Sequence, residues 1–352
     1  MAGVPRLSPR VEHLMLRALC GLPPRTQRLL FGRPPSVDGQ RLALDIHAML
    51  RLAHFVGRET LTGGLPPVQA RAEVLADARA GCGRPIPMAS VRELEIPGPA
   101  VSLPARLYLP HAAQPPPRPL LLYFHGGGWV VGDLETHDSV CRFLAAHSGA
   151  TILSCDYRLA PEHPYPAAVE DAQAAYRWTV EHAAELGADP DRIGIGGDSA
   201  GGNMATGVCI AMRDDGGPQP AMQLLIYPVT DAIGEQRSRE LFGTGFQLTT
   251  SDIVEFERCY LPDPSYATDP LASVLRAPSL ADLPPAYVVT AGFDPLRDEG
   301  EEYAERMREE GVRVSLRRYA SLTHSFANMT AFSRSARAAM LETAGALRMG
   351  LA

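Results

Sequence analysis

The chain has 352 residues, 45% hydrophobic and 21% charged, the composition of a globular protein with room for one large α/β domain plus an appendage, or for two ordinary domains. Its 33 basic and 40 acidic residues leave a formal net charge of -7, so no basic excess invites nucleic acid. All 33 basic residues are arginine, and a chain without lysine has no Schiff-base chemistry, no Walker A loop and no S-x-x-K nucleophile.

Six cysteines (Cys20, Cys82, Cys141, Cys155, Cys209, Cys259) lack C-x-x-C spacing and read as reduced packing residues, not as zinc ligands or disulfides. No apolar run has the form of a signal peptide or the length of a bilayer span, and a cytoplasmic protein is the expectation.

In chain order, Val11, Leu14, Met15, Ala18, Leu19 and Leu22 recur at helical spacing, and Pro23 and Pro24 end that helix. A second helix is predicted from near Asp38, presenting Leu42, Ile46, Met49, Leu50 and Ala53, and a third over Pro67 to Ala78. With no strand signal before about Ser90, this region packs outside the central sheet, as a cap. Val91 to Ile96 and Ala105 to Leu109 alternate as an antiparallel pair. The continuous apolar run Leu120 to Phe124 reads as a strand covered on both faces, and it leads into His125-Gly126-Gly127-Gly128-Trp129. Three glycines after a buried strand let backbone N–H groups approach a ligand, with His125 as the organiser of the loop.

A helix over Thr136 to Ser148, a strand over Thr151 to Asp156 and a helix over Pro166 to Leu186 follow, the alternation of a parallel sheet. Arg158, Glu162 and His163, in the proline-rich loop between them, read as structural. Asp133, Glu135, His137 and Asp138 read as helix capping and solvated charge, in preference to a metal site. Arg192 to Ile195 is strand-like and Gly201 to Met212 helix-like. Strands are predicted at Gln223 to Tyr227 and Pro285 to Ala291, and the fifty or so residues between them, with a helix over Ser251 to Tyr260, read as a second piece of the cap. Glu301 to Glu310 (helix), Val312 to Tyr319 (strand) and Ser333 to Leu347 (helix) close the chain.

Between strand and helix lies Gly197-Asp198-Ser199-Ala200-Gly201, a G-x-S-x-G nucleophile elbow in its expected context. Such a turn lifts the Ser199 hydroxyl above the sheet and sets the Ala200 N–H, at a helix start, where negative charge develops. A serine needs an imidazole base held by a carboxylate, and on this kind of scaffold the order is serine, acid, histidine. His324 is the one histidine after Ser199. Asp294, directly after a strand, is the candidate acid, with Asp298 in reserve; Asp298 and Glu299 also suit a structural role in the first turn of the following helix.

His125-Gly126-Gly127-Gly128-Trp129, Asp156 to Glu162, Gly197 to Asn203, Asp294 to Glu299 and His324 together resemble the bacterial hormone-sensitive-lipase family of carboxylesterases, in its GDSAG branch, from about residue 85 onward. The resemblance implies an α/β-hydrolase fold, a mostly parallel eight-stranded sheet flanked by helices, with a helical cap formed by 1–85 and 231–268 over a catalytic domain of 86–230 and 269–352. It implies hydrolysis of short- to medium-chain acyl esters without metal or cofactor. Ser199 becomes the nucleophile, Asp294 the acid and His324 the base, with the N–H groups of Gly127, Gly128 and Ala200 as an oxyanion hole. Ser325 departs from the glycine that the family often has there. An amidase, lactonase or acyltransferase on the same scaffold, and a non-catalytic receptor built on a retired hydrolase, are the alternatives. Arg313, Arg317 and Arg318 guard the last strand against indiscriminate pairing, and by analogy a homodimer through that strand is the protein partner left open.

Overall fold

A computed structural model describes residues 8–352. Helices α1 (Pro9–Cys20) and α2 (Pro24–Phe31) come first, then a two-stranded hairpin, β1 (Ser36–Val37) with β2 (Gln40–Arg41), then α3 (Leu44–Phe55) and α4 (Pro67–Gly81). Pro24, expected only to end a helix, starts another, because a proline at the first helical position gives up an N–H that has no intrahelical partner anyway. The helix expected from Asp38 begins later: Asp38 and Gly39 take φ of 52° and 73° and make the hairpin turn, a local Asp-Gly signal that the apolar periodicity obscured.

Strands β3 (Ser90–Pro97), β4 (Ser102–Leu109) and β5 (Arg118–Phe124) follow, then α5 (Asp138–Ser148), β6 (Thr151–Cys155), α6 (Ala167–Glu181), α7 (Ala183–Leu186), β7 (Ala188–Asp198), α8 (Ala200–Asp214) and β8 (Gln223–Ile226). The single helix predicted over 166–186 breaks at His182, where φ is -101° and ψ 19° and Nδ1 lies 2.9 Å from the Trp178 carbonyl. Short helix α9 (Arg237–Phe242) and α10 (Thr250–Tyr260) fill the long strandless segment, before β9 (Ala286–Phe293), α11 (Arg297–Glu309), β10 (Val314–Thr323) and α12 (Arg334–Gly350).

Eight strands form one sheet in the order β10-β9-β8-β7-β5-β6-β4-β3, parallel except where β4 pairs with β3 and β6, and β10 lies at its edge. The apolar run of β5 splits between two cores: Leu120, Leu122 and Phe124 join the cluster on one face, Leu121 and Tyr123 that on the other. Period-two alternation with both faces covered leaves all five of these side chains buried. Leu42 and Ile46, from the N-terminal region, pack into the second cluster, and the Asp45 carboxylate accepts from Ser333 and Ser335 at the start of α12.

Candidate active site

Three loops leave the same end of the sheet. Ser199 joins β7 to α8 with φ 55° and ψ -119°, a conformation that side-chain-bearing residues rarely hold. It persists because both sides fix it: Ser199 N donates to the Ile226 carbonyl (2.9 Å), and its own carbonyl accepts from Val229 N (3.2 Å). Asp294 follows β9, fully buried, with Oδ1 accepting from Leu296 N at 2.9 Å. His324 follows β10, and the next residue, Ser325, has φ 59°, which accounts for glycine suiting that place.

These side chains form a line. His324 Nδ1 is 2.7 Å from Asp294 Oδ2, and Nε2 is 3.1 Å from Ser199 Oγ. A carboxylate only accepts, so the proton on the ring sits at Nδ1, and Nε2 keeps its lone pair for the serine hydroxyl. The Tyr227 ring packs beside the imidazole at 4.5 Å between centroids. Asp298, the reserve, is engaged elsewhere, accepting from Ser238 N (2.8 Å) and Arg297 Nε (2.7 Å).

Facing the serine, Gly127 and Gly128 have φ of 123° and 59°. The Gly127 carbonyl is turned inward to accept from Val130 N (3.1 Å) and Val131 N (3.0 Å). Among the described residues, no protein acceptor pairs with the N–H of Gly127, Gly128 or Ala200. A Cβ on Gly128 would stand 2.3 Å from the Phe256 ring, so α10 lies directly on this loop. Trp129 stacks on Tyr260 of the same helix, 4.1 Å between centroids and 5° from parallel.

Asp198, beside Ser199, is the anchor between elbow and loop. Its Oδ1 accepts from Gly126 N (3.0 Å) and Tyr123 Oη (2.7 Å), while His137 Nε2 lies 3.3 Å away and Tyr227 Oη donates to Oδ2 at 3.4 Å. Burial alone would raise its pKa, but His137 and the Tyr123 hydroxyl more than offset this and hold it at about 2. His137 belongs to the cluster expected to cap a helix and carry solvated charge. Among the described residues, no side chain caps α5; Asp133 instead accepts from Thr136 N in the preceding turn, Arg106 pairs with Glu135, Arg142 pairs with Asp138, and the His137 ring turns to the elbow. His125 is buried and stacked on Tyr157 at 4.3 Å, with Nδ1 2.8 Å from the Gly126 carbonyl. Burial pushes its pKa down; Asp156, 3.4 Å from Nε2, outweighs that and raises it.

Ser199 and His324 open into a cavity of about 590 Å³, within the range of small-molecule sites. Its walls are mainly apolar, with Met49 and Leu50 from α3, Val74 from α4, and Phe246, Leu248 and Ile253 from the segment between β8 and β9. Two polar ties hold these walls. Asp252 accepts from Leu61 N and Thr62 N (both 3.1 Å) and from Thr249 Oγ1 (2.6 Å), joining the N-terminal region to α10. Arg71 on α4 pairs with Glu162 (2.6 Å) and donates to the carbonyls of Val130 (2.8 Å) and Ala160 (2.9 Å). Asp252 is legible locally only as the acid of a capping box with Thr249 at the start of α10, and Arg71 carries no local motif; their remote partners distinguish them. Arg158, expected to be structural, pairs with the buried Asp171 at 2.7 Å.

A family model described as the alpha/beta hydrolase fold matches residues 121–328. The carboxylic ester hydrolase LipN of Mycobacterium tuberculosis is 44% identical over 98% of this chain and 93% of its own. The ethyl acetate hydrolase of Pseudomonas putida is 39% identical over 65% of this chain and 72% of its own. Among solved structures, EstE1, a thermostable carboxylesterase cloned from a metagenomic library, superposes with a TM-score of 0.78 at 43% identity, covering 82% of this chain and 98% of that one.

Proposed function

Since the chain belongs to the α/β-hydrolase fold family, in its hormone-sensitive-lipase type, and is a serine hydrolase acting on ester bonds, we propose that it cleaves short- to medium-chain acyl esters through Ser199, His324 and Asp294. Ser199 Oγ attacks the ester carbonyl while His324 Nε2 takes its proton, and Asp294 steadies the imidazolium that forms. Negative charge moves to the carbonyl oxygen, which the N–H groups of Gly127, Gly128 and Ala200 receive; one such donor is worth roughly 3 kcal/mol in the transition state. The imidazolium returns its proton to the leaving alcohol, and an acyl-enzyme remains on Ser199. Water, activated by the same imidazole, releases the acid.

The observation that carries this reading is the unbroken hydrogen-bonded line from Asp294 through His324 to Ser199. Residues 8–85 and 231–268 act in it as the cap, and the bounded, mostly apolar cavity sets the acyl length. A chain-length series of chromogenic esters tests the substrate range, with turnover expected to fall for long acyl groups. Labelling by an organophosphate tests the nucleophile: wild type is expected to be blocked at Ser199, and blocking that persists in Ser199→Ala would end the assignment.

A further inference from the structure

Val11, Leu14, Met15 and Ala18 share one face of α1, the kind of face a globular protein ordinarily buries. Here that face is in solvent. Val11 is 43%, Leu14 63% and Met15 38% exposed, while Glu12, His13, Leu16, Leu19 and Cys20 turn toward the protein. On α2, packed against α3, Leu29 is 85% and Leu30 57% exposed, and Phe55 at the end of α3 is 85% exposed. Glu12 approaches Arg58, just beyond α3, at 3.7 Å, and Cys20 Sγ donates to the Asp45 carbonyl near its start. α1 therefore lies antiparallel along α3, with its Val11 end beside Phe55.

Charge on these helices is opposite in sign to that of the whole chain. Residues 8–33 carry Arg10, Arg17, Arg25, Arg28 and Arg33 against Glu12 alone, in a chain of formal net charge -7. All five arginines are exposed, as is Arg51 on α3, and none pairs with a carboxylate among the described residues. The face also runs into the active-site cavity, for Met15 lines both.

These features select an occupant. A second copy docked across a two-fold axis would set the same arginines against one another. An anionic lipid surface meets both components, its headgroups taking the guanidinium charge and its acyl region the leucines and phenylalanine. We propose that α1, α2 and the exposed end of α3 dock the protein on an anionic lipid surface and bring esters held there to the cavity. Delivery of substrate rests on the ester-hydrolase reading above; docking itself does not involve Ser199.

The test is co-sedimentation of the full chain, wild type and Ser199→Ala, with phosphatidylglycerol–phosphatidylcholine vesicles and with phosphatidylcholine vesicles alone. Binding at least about tenfold stronger to the anionic vesicles, and weakened by salt at about 0.5 M, is expected for both proteins. The double variant L29E/F55E, at two exposed positions that do not line the cavity, is expected to lose that binding at least about tenfold while hydrolysing a soluble acetate ester like wild type. Arg25→Glu with Arg28→Glu is expected to abolish the preference for anionic lipid. The proposal is overturned if wild type binds neither vesicle, if it binds both equally, or if the chain sediments as a dimer that Leu29→Glu dissociates. Vesicle binding without ester turnover would leave docking standing and remove the catalytic reading; turnover of soluble esters without vesicle binding would do the reverse.

Discussion

Ser199, Asp294 and His324 stand at the ends of β7, β9 and β10, and the first two of those strands have a hydrogen-bonded neighbour on each side. The helices over them are attached differently, through a buried carboxylate at Asp252, the Arg71–Glu162 pair and the stacking of Trp129 on Tyr260, while α1 leaves an apolar face in water. Reacting groups need to be fixed to a fraction of an ångström, and a close-packed sheet supplies that. Substrate entry needs a part that opens at lower cost, and a few polar ties supply that. Changes below the cavity should therefore act on the chemical step, and changes above it on substrate capture.

The largest expected effect lies below. Ser199→Ala should lower kcat by at least about 10⁴-fold with an unchanged Tm, measured by ester turnover and thermal unfolding. Gly128→Ala lies on the seam between the two regions: a Cβ meets the Phe256 ring and φ is 59°, so about a 10²-fold loss in kcat is expected. Adding Phe256→Ala relieves the contact without relieving the backbone, and recovery of more than half the activity would assign the loss to α10 and not to loop strain.

Asp198→Asn probes the floor without touching a reacting atom. The folded-state pKa of about 2 lies below the ordinary 3.8, so the stability that Asp198 contributes is complete above pH 3.8 and lost as pH falls through 2. The contribution is about 2 kcal/mol, and wild type should lose it over that window whereas Asp198→Asn should not, as read from Tm against pH. Smallest in kcat is Asp252→Asn, which weakens the tie between Leu61, Thr62 and α10; kcat within about threefold of wild type and a several-fold rise in KM are expected. An equal fall in kcat and kcat/KM would show instead that the roof takes part in the transition state.

Local pattern and chemistry together pick out three residues that the structure brings into hydrogen-bonding distance. Ser199 and Asp294 each follow a strand buried at its C-terminal end, His324 follows the partly exposed edge strand β10, and their order along the chain is set by the fold. Local pattern fails where the partner is remote. His137 sits among residues that do serve the turn before α5, and nothing nearby marks its ring as bound for Asp198, 61 residues later. Tyr123 alternates in β5 as any core residue would, and its hydroxyl gives no sign of the carboxylate it reaches. Val11, Leu14 and Met15 show the opposite limit: periodicity establishes that a helix has an apolar face, not what covers it.

The backbone at Ser199 also restricts what chemistry this scaffold can adopt. At φ 55° a second substituent on Cβ crowds the main chain, so threonine is shut out although it carries the same hydroxyl. Cysteine, unbranched, meets no such barrier. Descendants of this protein are thereby free to exchange oxygen for sulfur at the reactive position, yet barred from exchanging a primary alcohol for a secondary one.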